Sequence, residues 1–256
     1  MAGPTRRYDR GIKYRFLGNT GLQVSEICLG TMTFGKYTEA AEAARMVDLS
    51  LDAGVNFIDT ANAYNAGASE EMLGAALEGK RDRAVVATKF FNPMGPGVND
   101  SGWSRAHVMR AVDASLKRMR TDWIDLYYIH HLDFDTPLEE VMRALDDLVR
   151  AGKVRYLGCS NFEAWRLLDA WWTAEAKGWT RLVAHQPQYN LMVRDIEEEI
   201  VPACRAKGVG IVPWGPMAGG YLTGKYKPGE EAIRAGTRSE DGWVFPERFF
   251  AENADA

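Results

Sequence analysis

The sequence predicts an α/β fold, a (β/α)8 barrel of the TIM type with an N-terminal β-hairpin, in a single domain spanning residues 1–256. Short runs of β-branched and aromatic residues alternate with stretches of helical periodicity, which is typical of parallel βαβ units. These runs begin at intervals of roughly thirty residues, with no linker-like stretch or shift of composition between them. A chain of 256 residues with 46% hydrophobic and 26% charged residues can bury one large core.

The strands are the first elements to place. Residues 13–17 and 22–24 flank the turn Gly18-Asn19-Thr20-Gly21, which predicts a hairpin that could cap the bottom of the barrel. Seven parallel strands follow it. They are predicted at residues 24–29, 55–58, 84–88, 124–129, 154–158, 182–185 and 209–213.

The helices between the strands have recognisable start signals. Thr38 and Ser104 are expected as N-caps, because each directly precedes a segment with apolar residues at three- and four-residue spacing. Thr136 is expected as the N-cap of a third helix, with Pro137 at its first helical position and acidic residues in its first turn.

Nucleotide-binding folds with a glycine fingerprint compete with the barrel. Two Gly-x-Gly pairs, beginning at Gly95 and Gly208, lack the third glycine of a dinucleotide fingerprint. The pattern Gly-x4-Gly-Lys occurs three times but is never followed by the Ser or Thr that would bind magnesium. A barrel with its site at the C-terminal ends of the strands is therefore favoured.

Composition excludes several classes of partner. The chain has 31 Lys and Arg against 35 Asp and Glu, a net charge of −4, which argues against nucleic-acid binding. Three distant cysteines without Cys-x-x-Cys spacing predict neither disulfides nor a metal site. No apolar stretch approaches the ~20 residues of a membrane span, and the N-terminus lacks a signal-peptide core. We expect a cytoplasmic protein.

Four chemically useful side chains are predicted at one rim of the barrel. Asp59, Lys89 and His130 stand at the ends of successive strands, and Tyr64 lies in the loop after Asp59. Singly, Asp59 could cap a turn, Lys89 could lie on the surface and His130 could be structural. Together, the lysine would lower the phenol pKa from its usual ~10, the aspartate would orient the lysine, and the histidine would position a carbonyl oxygen. The group suits protonation of an oxyanion as hydride reaches the carbon.

At these residues the sequence resembles the aldo-keto reductase family, and more specifically its bacterial and potassium-channel-β-like branch. The resemblance runs in the family's order over about residues 14–228. The matching motifs are Asn-Phe-Ile-Asp-Thr-Ala-x-x-Tyr at 56–64, Gly-x-Ser-Glu-x-x-Leu-Gly at 67–74, Ala-Thr-Lys at 87–89, Ser-Leu-Lys-Arg-x-x-Thr-Asp-x-Ile-Asp-Leu at 115–126, Gly-Lys-Val-Arg-Tyr-Leu-Gly-x-Ser-Asn-Phe at 152–162 and Gln-x-x-Tyr-Asn at 186–190.

The resemblance implies reduction of an aldehyde or ketone by NADPH, bound without a Rossmann fold. It assigns Tyr64 as the general acid–base, Lys89 and Asp59 as the residues that tune it, and His130 as the residue that orients the substrate. It also implies nicotinamide contacts, a ring stacked on the nicotinamide and a loop over the pyrophosphate. The implied cofactor-binding residues are Thr31, Met32, Asp59, Ser160, Asn161, Gln186, Trp214, Gly215, Pro216, Met217, Gly219, Leu222 and Lys225.

The sequence departs from the family in two places. Gly215 stands where serine is common, which removes a hydroxyl donor to a cofactor phosphate and predicts weaker binding. No eighth strand is readable after residue 213, so we expect a barrel that is incomplete at its C-terminus, with seven strands. Its unpaired edges would be covered by residues 236–256, by a second copy in a homo-oligomer, or by more of a longer protein.

Two other functions use the same residues. The chain could be a cofactor-binding regulatory subunit with little turnover, or a Schiff-base aldolase that uses Lys89. The aldolase is disfavoured because Asp59 should keep the lysine protonated. Substrate preference is expected to depend on loop aromatic residues. These are Tyr37, Phe90, Trp103 and Trp123.

Overall fold

The computed structural model describes residues 11–224 of the chain. The strands are β1 (Tyr14–Phe16), β2 (Gln23–Ser25), β3 (Cys28–Gly30), β4 (Phe57–Asp59), β5 (Val85–Phe90), β6 (Ile124–Ile129), β7 (Val154–Ser160), β8 (Leu182–Gln186) and β9 (Gly210–Ile211). The α-helices are α1 (Ala40–Asp52), α2 (Ala68–Ala76), α3 (Arg105–Met119), α4 (Leu138–Arg150), α5 (Ala164–Lys177) and α6 (Ile200–Lys207). Short 3-10 turns cover Tyr64–Gly67, Arg81–Arg83, Asp195–Glu197 and Ala218–Thr223.

The larger sheet is parallel and curled. Strands β3 to β9 pair in chain order, with helices in the connections. Gln186 at the end of β8 donates a 2.9 Å hydrogen bond to Asp59 at the end of β4. Four strand spacings would separate these ends by ~19 Å in a flat sheet, so the sheet curls around an interior. This curvature confirms the predicted TIM-type architecture. Within residues 11–224, β3 and β9 each pair with one strand only, which leaves the described barrel open between them.

The curl separates two apolar clusters. The outer cluster lies between the sheet and the helices, and the inner one fills the barrel. The buried inner residues are Leu17, Val24, Phe57, Ala87, Leu126, Tyr128 and Ala184. Because Leu17 and Val24 belong to the β1–β2 hairpin, the hairpin itself contributes to the interior.

The hairpin turn contacts the starts of the last strands, as expected for a cap on the bottom of the barrel. Asn19 N–H donates to the carbonyl of Gly208 at 2.6 Å. Gly18 has φ 56°, and a Cβ there would lie 2.5–2.8 Å from backbone atoms of Gly208, Val183 and Gly210. This close approach of two backbones requires glycine at position 18.

The strand predicted at residues 24–29 is two strands. Its first part, in β2, pairs antiparallel with β1, and its last part, in β3, pairs parallel with β4. Between them the Ser25 hydroxyl donates to the carbonyl of Ile27 at 2.6 Å. This local hydrogen bond turns the chain from the hairpin into the barrel wall, so the continuous apolar run does not correspond to one strand.

Two of the expected helix starts can be compared directly. Ser104 is the N-cap of α3 as predicted, since its hydroxyl accepts a hydrogen bond from His107 N–H. Thr38 was predicted wrongly, because Glu39 occupies the N-cap position of α1. The Thr38 hydroxyl donates instead to the Thr33 hydroxyl at 3.0 Å, within the loop that precedes the helix.

The start of α4 is one residue later than predicted. Pro137 occupies the N-cap position, and Thr136 lies before the helix. The Thr136 hydroxyl donates to the Asp133 carboxylate at 2.8 Å and is committed to the preceding loop. Asp133 therefore competes successfully for the hydroxyl that was expected to cap the helix.

The described residues contain no helix that combines the length and the apolar composition needed to cross a bilayer. Over the same residues, His, Cys, Asp and Glu side chains form no group of three or more suited to holding a metal ion.

Candidate active site

The site is built where three neighbouring parallel strands end. Asp59 is the last residue of β4, Lys89 lies next to the end of β5, and His130 directly follows β6. Tyr64 opens the 3-10 turn that follows β4. The structure thus brings the four predicted catalytic residues to one rim of the barrel, the position that barrel enzymes use for chemistry.

Lys89 is the centre of the arrangement. Its side chain is fully buried, and Nζ donates to Asp59 Oδ1 at 2.5 Å, to the carbonyl of Thr60 at 2.8 Å and to the Tyr64 hydroxyl at 3.1 Å. An ammonium group has three protons and no acceptor, so all three are used. The Tyr64 oxygen therefore accepts a hydrogen bond from Lys89.

The charge on Lys89 is stabilised by its neighbours. Burial alone lowers the pKa of this lysine, but the negative charge of Asp59 and the interactions with Tyr64 outweigh burial, and the pKa is raised. A lysine with a raised pKa stays protonated at neutral pH and cannot attack a carbonyl group. The lysine is therefore an electrostatic partner of the phenol rather than a nucleophile.

The backbone after Tyr64 has an unusual conformation. Asn65, Ala66 and Gly67 have φ values of 51°, 53° and 98°, three left-handed residues in succession. The Asn65 amide stabilises the turn by donating to the carbonyls of Met32 at 3.0 Å and Phe34 at 2.6 Å. The turn that carries the phenol is thereby tied to the loop after β3.

A buried ion pair lies at the start of α2, the helix that follows this turn. Glu70 on α2 is fully buried and accepts from the Thr88 hydroxyl at 2.6 Å and from Arg118 Nε at 2.7 Å. Thr88 directly precedes Lys89 on β5, so Glu70 connects the helix that follows Tyr64 with the strand that carries the lysine. This connection gives a structural reason for the glutamate of the Gly-x-Ser-Glu motif at residues 67–70.

His130 is held close to the phenol as a neutral ring. Its imidazole meets the Tyr64 ring edge-to-face at 5.9 Å between centroids and stacks on His131 at 4.4 Å. Burial, together with the charges of Lys89 and His131, lowers the pKa of His130 to about 2. The ring therefore acts as a hydrogen-bonding group and not as a cation.

The predicted nicotinamide contacts form one hydrogen-bonded group at the ends of β7 and β8. Asn161 Nδ2 lies 3.1 Å from both Ser160 Oγ and the His130 carbonyl, and the Ser160 hydroxyl donates to the Gln186 carbonyl at 2.7 Å. Trp214 Nε1 donates to Asn161 Oδ1 at 2.8 Å, while its ring is 41% exposed. Side-chain amides, a hydroxyl and a partly exposed indole ring thus lie side by side.

The other predicted cofactor residues are placed less uniformly. Thr31 is fully buried, with its hydroxyl bonded to the Asp59 carbonyl and to Ser69. Met32 is half-buried, and Gly215 has φ 68°, a left-handed conformation that disfavours the serine common in the family. Four further residues lie in the short segment after β9, and Lys225 lies outside the described residues. The four are Pro216, Met217, Gly219 and Leu222.

Three of the four aromatic residues expected to shape the substrate pocket are buried or lie at the other end of the strands. Phe90 is fully buried and stacks on Tyr127 in the outer cluster, and Trp103 is fully buried against Phe162. Trp123 precedes β6, at the opposite end of the strands from the site. Tyr37 is the remaining one, and it is exposed in the loop after β3.

Sequence reasoning missed several groups that contact the four central residues. The Thr60 carbonyl carries no side-chain signal and could not be found from residue types. Asn92 Nδ2 lies 3.3 Å from His130 Nδ1, and its position just after β5 was an available signal. The Asp59–Gln186 bond depends on the curl of the sheet, which residue types do not encode.

Comparisons with known proteins agree with this geometry. A sequence profile described as "Aldo/keto reductase family" matches residues 26–251. The "Uncharacterized oxidoreductase YrpG" of Bacillus subtilis is 42% identical over 240 residues, covering 90% of this chain and 74% of the relative. The "Putative aryl-alcohol dehydrogenase C977.14c" of Schizosaccharomyces pombe is 38% identical, covering 88% and 73%. A "Probable voltage-gated potassium channel subunit beta" of Arabidopsis thaliana is 38% identical, covering 85% and 68%.

Proposed function

The chain belongs to the aldo/keto reductase family, and we propose that it reduces the carbonyl group of an aldehyde or ketone with NADPH. The family as a whole uses nicotinamide cofactors for carbonyl reduction. The observation that carries the proposal is the position of Lys89, whose buried ammonium group contacts both the Asp59 carboxylate and the Tyr64 phenol. This arrangement suits proton transfer to a developing alkoxide.

The residues at the ends of β7 to β9 fit a nicotinamide. Ser160, Asn161 and Gln186 offer hydroxyl and amide groups for a carboxamide, and the partly exposed indole ring of Trp214 suits stacking on a flat ring. When bound, the cofactor supplies a hydride to the carbonyl carbon. NADPH rather than NADH is proposed on the family resemblance alone, because Lys225 and the residues after it lie outside the described part of the chain.

The chain's own residues then handle the proton. Tyr64 donates its hydroxyl proton to the carbonyl oxygen, and the Lys89 ammonium stabilises the phenolate that remains. Asp59 keeps Lys89 in place and is itself oriented by Gln186. His130, as a neutral ring beside the phenol, donates a hydrogen bond to the same carbonyl oxygen and so orients the substrate.

The same proposal includes the setting of the protein. We assign it a small-molecule carbonyl substrate, with no nucleic-acid or membrane partner, and a single domain over residues 1–256 in the cytoplasm. The net charge of −4 supports the absence of a nucleic-acid partner. A homo-oligomer is a further proposal that sedimentation would test.

Replacement of Tyr64 tests the reaction. Tyr64→Phe should lower kcat for aldehyde reduction by about 100-fold to 10,000-fold, because it removes the positioned proton donor. Fluorescence titration should give similar affinities for NADPH in the variant and the wild type, and a weaker affinity for NADH in both. Tyr156→Phe is the matched control, because this half-buried phenol lies at the start of β7, away from the site. Retention of most activity in Tyr64→Phe would remove the assignment.

A regulatory subunit is the second candidate, supported by the 38% identity to a protein named as a channel β subunit. The two functions share the cofactor and differ in turnover. Multiple-turnover reduction of a panel of aldehydes supports the enzyme, whereas tight NADPH binding with a single slow turnover supports the regulatory subunit. The aldolase is not supported, because the raised pKa of Lys89 keeps it protonated.

A further inference from the structure

The side chain of Asn92 lies beside one of the two ring nitrogens of His130, Nδ1. Asn92 follows the end of β5, and His130 follows the end of β6. The backbone N–H of His130 donates to the carbonyl of Phe90 at 3.0 Å. The pairing of the two strand ends brings the side chains together, with Asn92 Nδ2 at 3.3 Å from His130 Nδ1. Both side chains are half-buried.

The plane of the His130 ring is fixed by its neighbours. His131 stacks on one face with 14° between the ring planes, and the Tyr64 ring meets it edge-on at 77°. These contacts restrain the plane of the ring, and the contact with Asn92 bears on which nitrogen carries the proton. A neutral imidazole has one donor nitrogen and one acceptor nitrogen, and the bond to one of them decides the role of the other.

The contact with Asn92 decides this question. With the Asn92 amide nitrogen oriented toward the ring, His130 Nδ1 is the acceptor and the ring proton lies on Nε2. We propose that Asn92 is a positioning residue that holds His130 as the Nε2–H tautomer, so that the ring donates to the carbonyl oxygen of the substrate. This inference rests on the proposed function, because the carbonyl oxygen is the acceptor that gives the tautomer its role.

The opposite tautomer would oppose the reaction. Nε2 would then present a lone pair to the carbonyl oxygen, and the two would repel each other. Since burial holds His130 neutral, the ring cannot regain a donor on Nε2 by taking up a second proton at neutral pH. A residue that sets the tautomer therefore controls whether His130 stabilises or destabilises the bound carbonyl group.

Two substitutions of opposite hydrogen-bonding character test the proposal. Asn92→Ala leaves the tautomer free, and kcat/KM should fall about 10-fold to 100-fold, as for other partners that orient a histidine. Asn92→Asp is nearly isosteric but accepts from Nδ1–H and selects the wrong tautomer, which in a comparable case costs up to about 10,000-fold. The aspartate variant should thus be at least about 10-fold slower than the alanine variant. The comparison is made at mildly alkaline pH, where His130 is neutral in both variants. A purely structural role predicts the reverse order.

Asn99→Asp is the matched control, because it adds the same charge to the same loop at an exposed side chain and should leave turnover unchanged. Nitrogen-15 NMR of histidine-labelled wild-type protein reads the tautomer directly, with His130 identified by its loss in His130→Gln. A proton on Nε2 in the wild type, and on Nδ1 in Asn92→Asp, is the expected result. Wild-type protonation on Nδ1, or an aspartate variant as active as the alanine variant, overturns the proposal. Wild-type protein without turnover would refute the proposed function, while the NMR result would still decide the tautomer.

Discussion

Two buried histidines should make the stability of this protein change with pH in the mildly acidic range. His185 on β8 is fully buried, and its Nδ1 lies 3.2 Å from the Cys159 carbonyl. Burial is the main cause that lowers the pKa of His185 to about 4, while its bonds to backbone carbonyls act in the opposite direction. His130 is lowered further, to about 2. At mildly acidic pH, both rings are therefore neutral in the folded protein, whereas the same two histidines are protonated in the unfolded chain.

The sign of the effect follows from proton counting. Between pH 6.5 and 4 the unfolded chain binds protons at these two histidines and the folded chain does not, so stability is lost as the pH falls. Each histidine should lower the free energy of unfolding by about 1.4 kcal/mol per pH unit in this window. Urea unfolding at several pH values should show that His185→Gln reduces the overall slope by about 1.4 kcal/mol per pH unit. An unchanged slope in both His185→Gln and His185→Leu would contradict the assignment.

The central site residues could be predicted from the sequence because each stands where a strand ends. Asp59, Lys89 and His130 are brought together by parallel pairing alone, without any knowledge of the loops. Phe90 was misplaced at the pocket, although alternation along the strand sends it outward once Lys89 points inward. The backbone carbonyl of Thr60, by contrast, has no residue-type signal at all.

At the level of elements, the boundaries that failed were those decided by a competing tertiary contact. Thr38 and Thr136 have side chains suited to N-caps. Their hydroxyls instead form hydrogen bonds with Thr33 and Asp133, respectively, in the loops before the helices. Ser104 has no such competitor among the hydrogen bonds observed, and it caps α3 as predicted. Local patterns thus predicted which helices exist better than where each begins.

The connection between α2 and β5 predicts a specific loss of activity. Thr88→Val keeps the shape of the side chain but removes the hydroxyl that donates to Glu70, next to Lys89. We expect stability to fall by about 1–3 kcal/mol, because a buried carboxylate loses a donor. We also expect kcat to fall by about 10-fold to 100-fold, because the position of Lys89 relative to Tyr64 shifts. Thermal unfolding and steady-state reduction of an aldehyde measure the two effects.

A second buried carboxylate provides the control for this prediction. Asp146 on α4 accepts from the Thr180 hydroxyl at 2.9 Å and from Arg150 Nε at 2.6 Å, far from the site in the fold. Thr180→Val should therefore cost similar stability but leave kcat unchanged. Equal losses of activity in the two valine variants would mean that Thr88 acts only through general stability.

On the scale of the whole molecule, the predicted cofactor residues lie on both sides of the opening between β3 and β9. Thr31 and Met32 follow β3, and Trp214 follows β9. Within residues 11–224, the Asp59–Gln186 bond is a direct side-chain link between strands far apart in the sheet. A ligand that contacts both groups of residues would add a second such link across the open side.

NADPH binding should therefore protect the two edges of the sheet together. At a free concentration 100 times its Kd, a ligand that binds only the folded protein stabilises it by about 2.7 kcal/mol. Hydrogen exchange followed by mass spectrometry should show amide protection rising at both β3 and β9, because local opening of either edge now requires release of the ligand. Trp214→Ala should weaken binding and reduce the gain at both edges in parallel. Protection confined to the segments around β7 to β9 would instead show that the cofactor contacts one side of the opening and that Thr31 and Met32 were assigned wrongly.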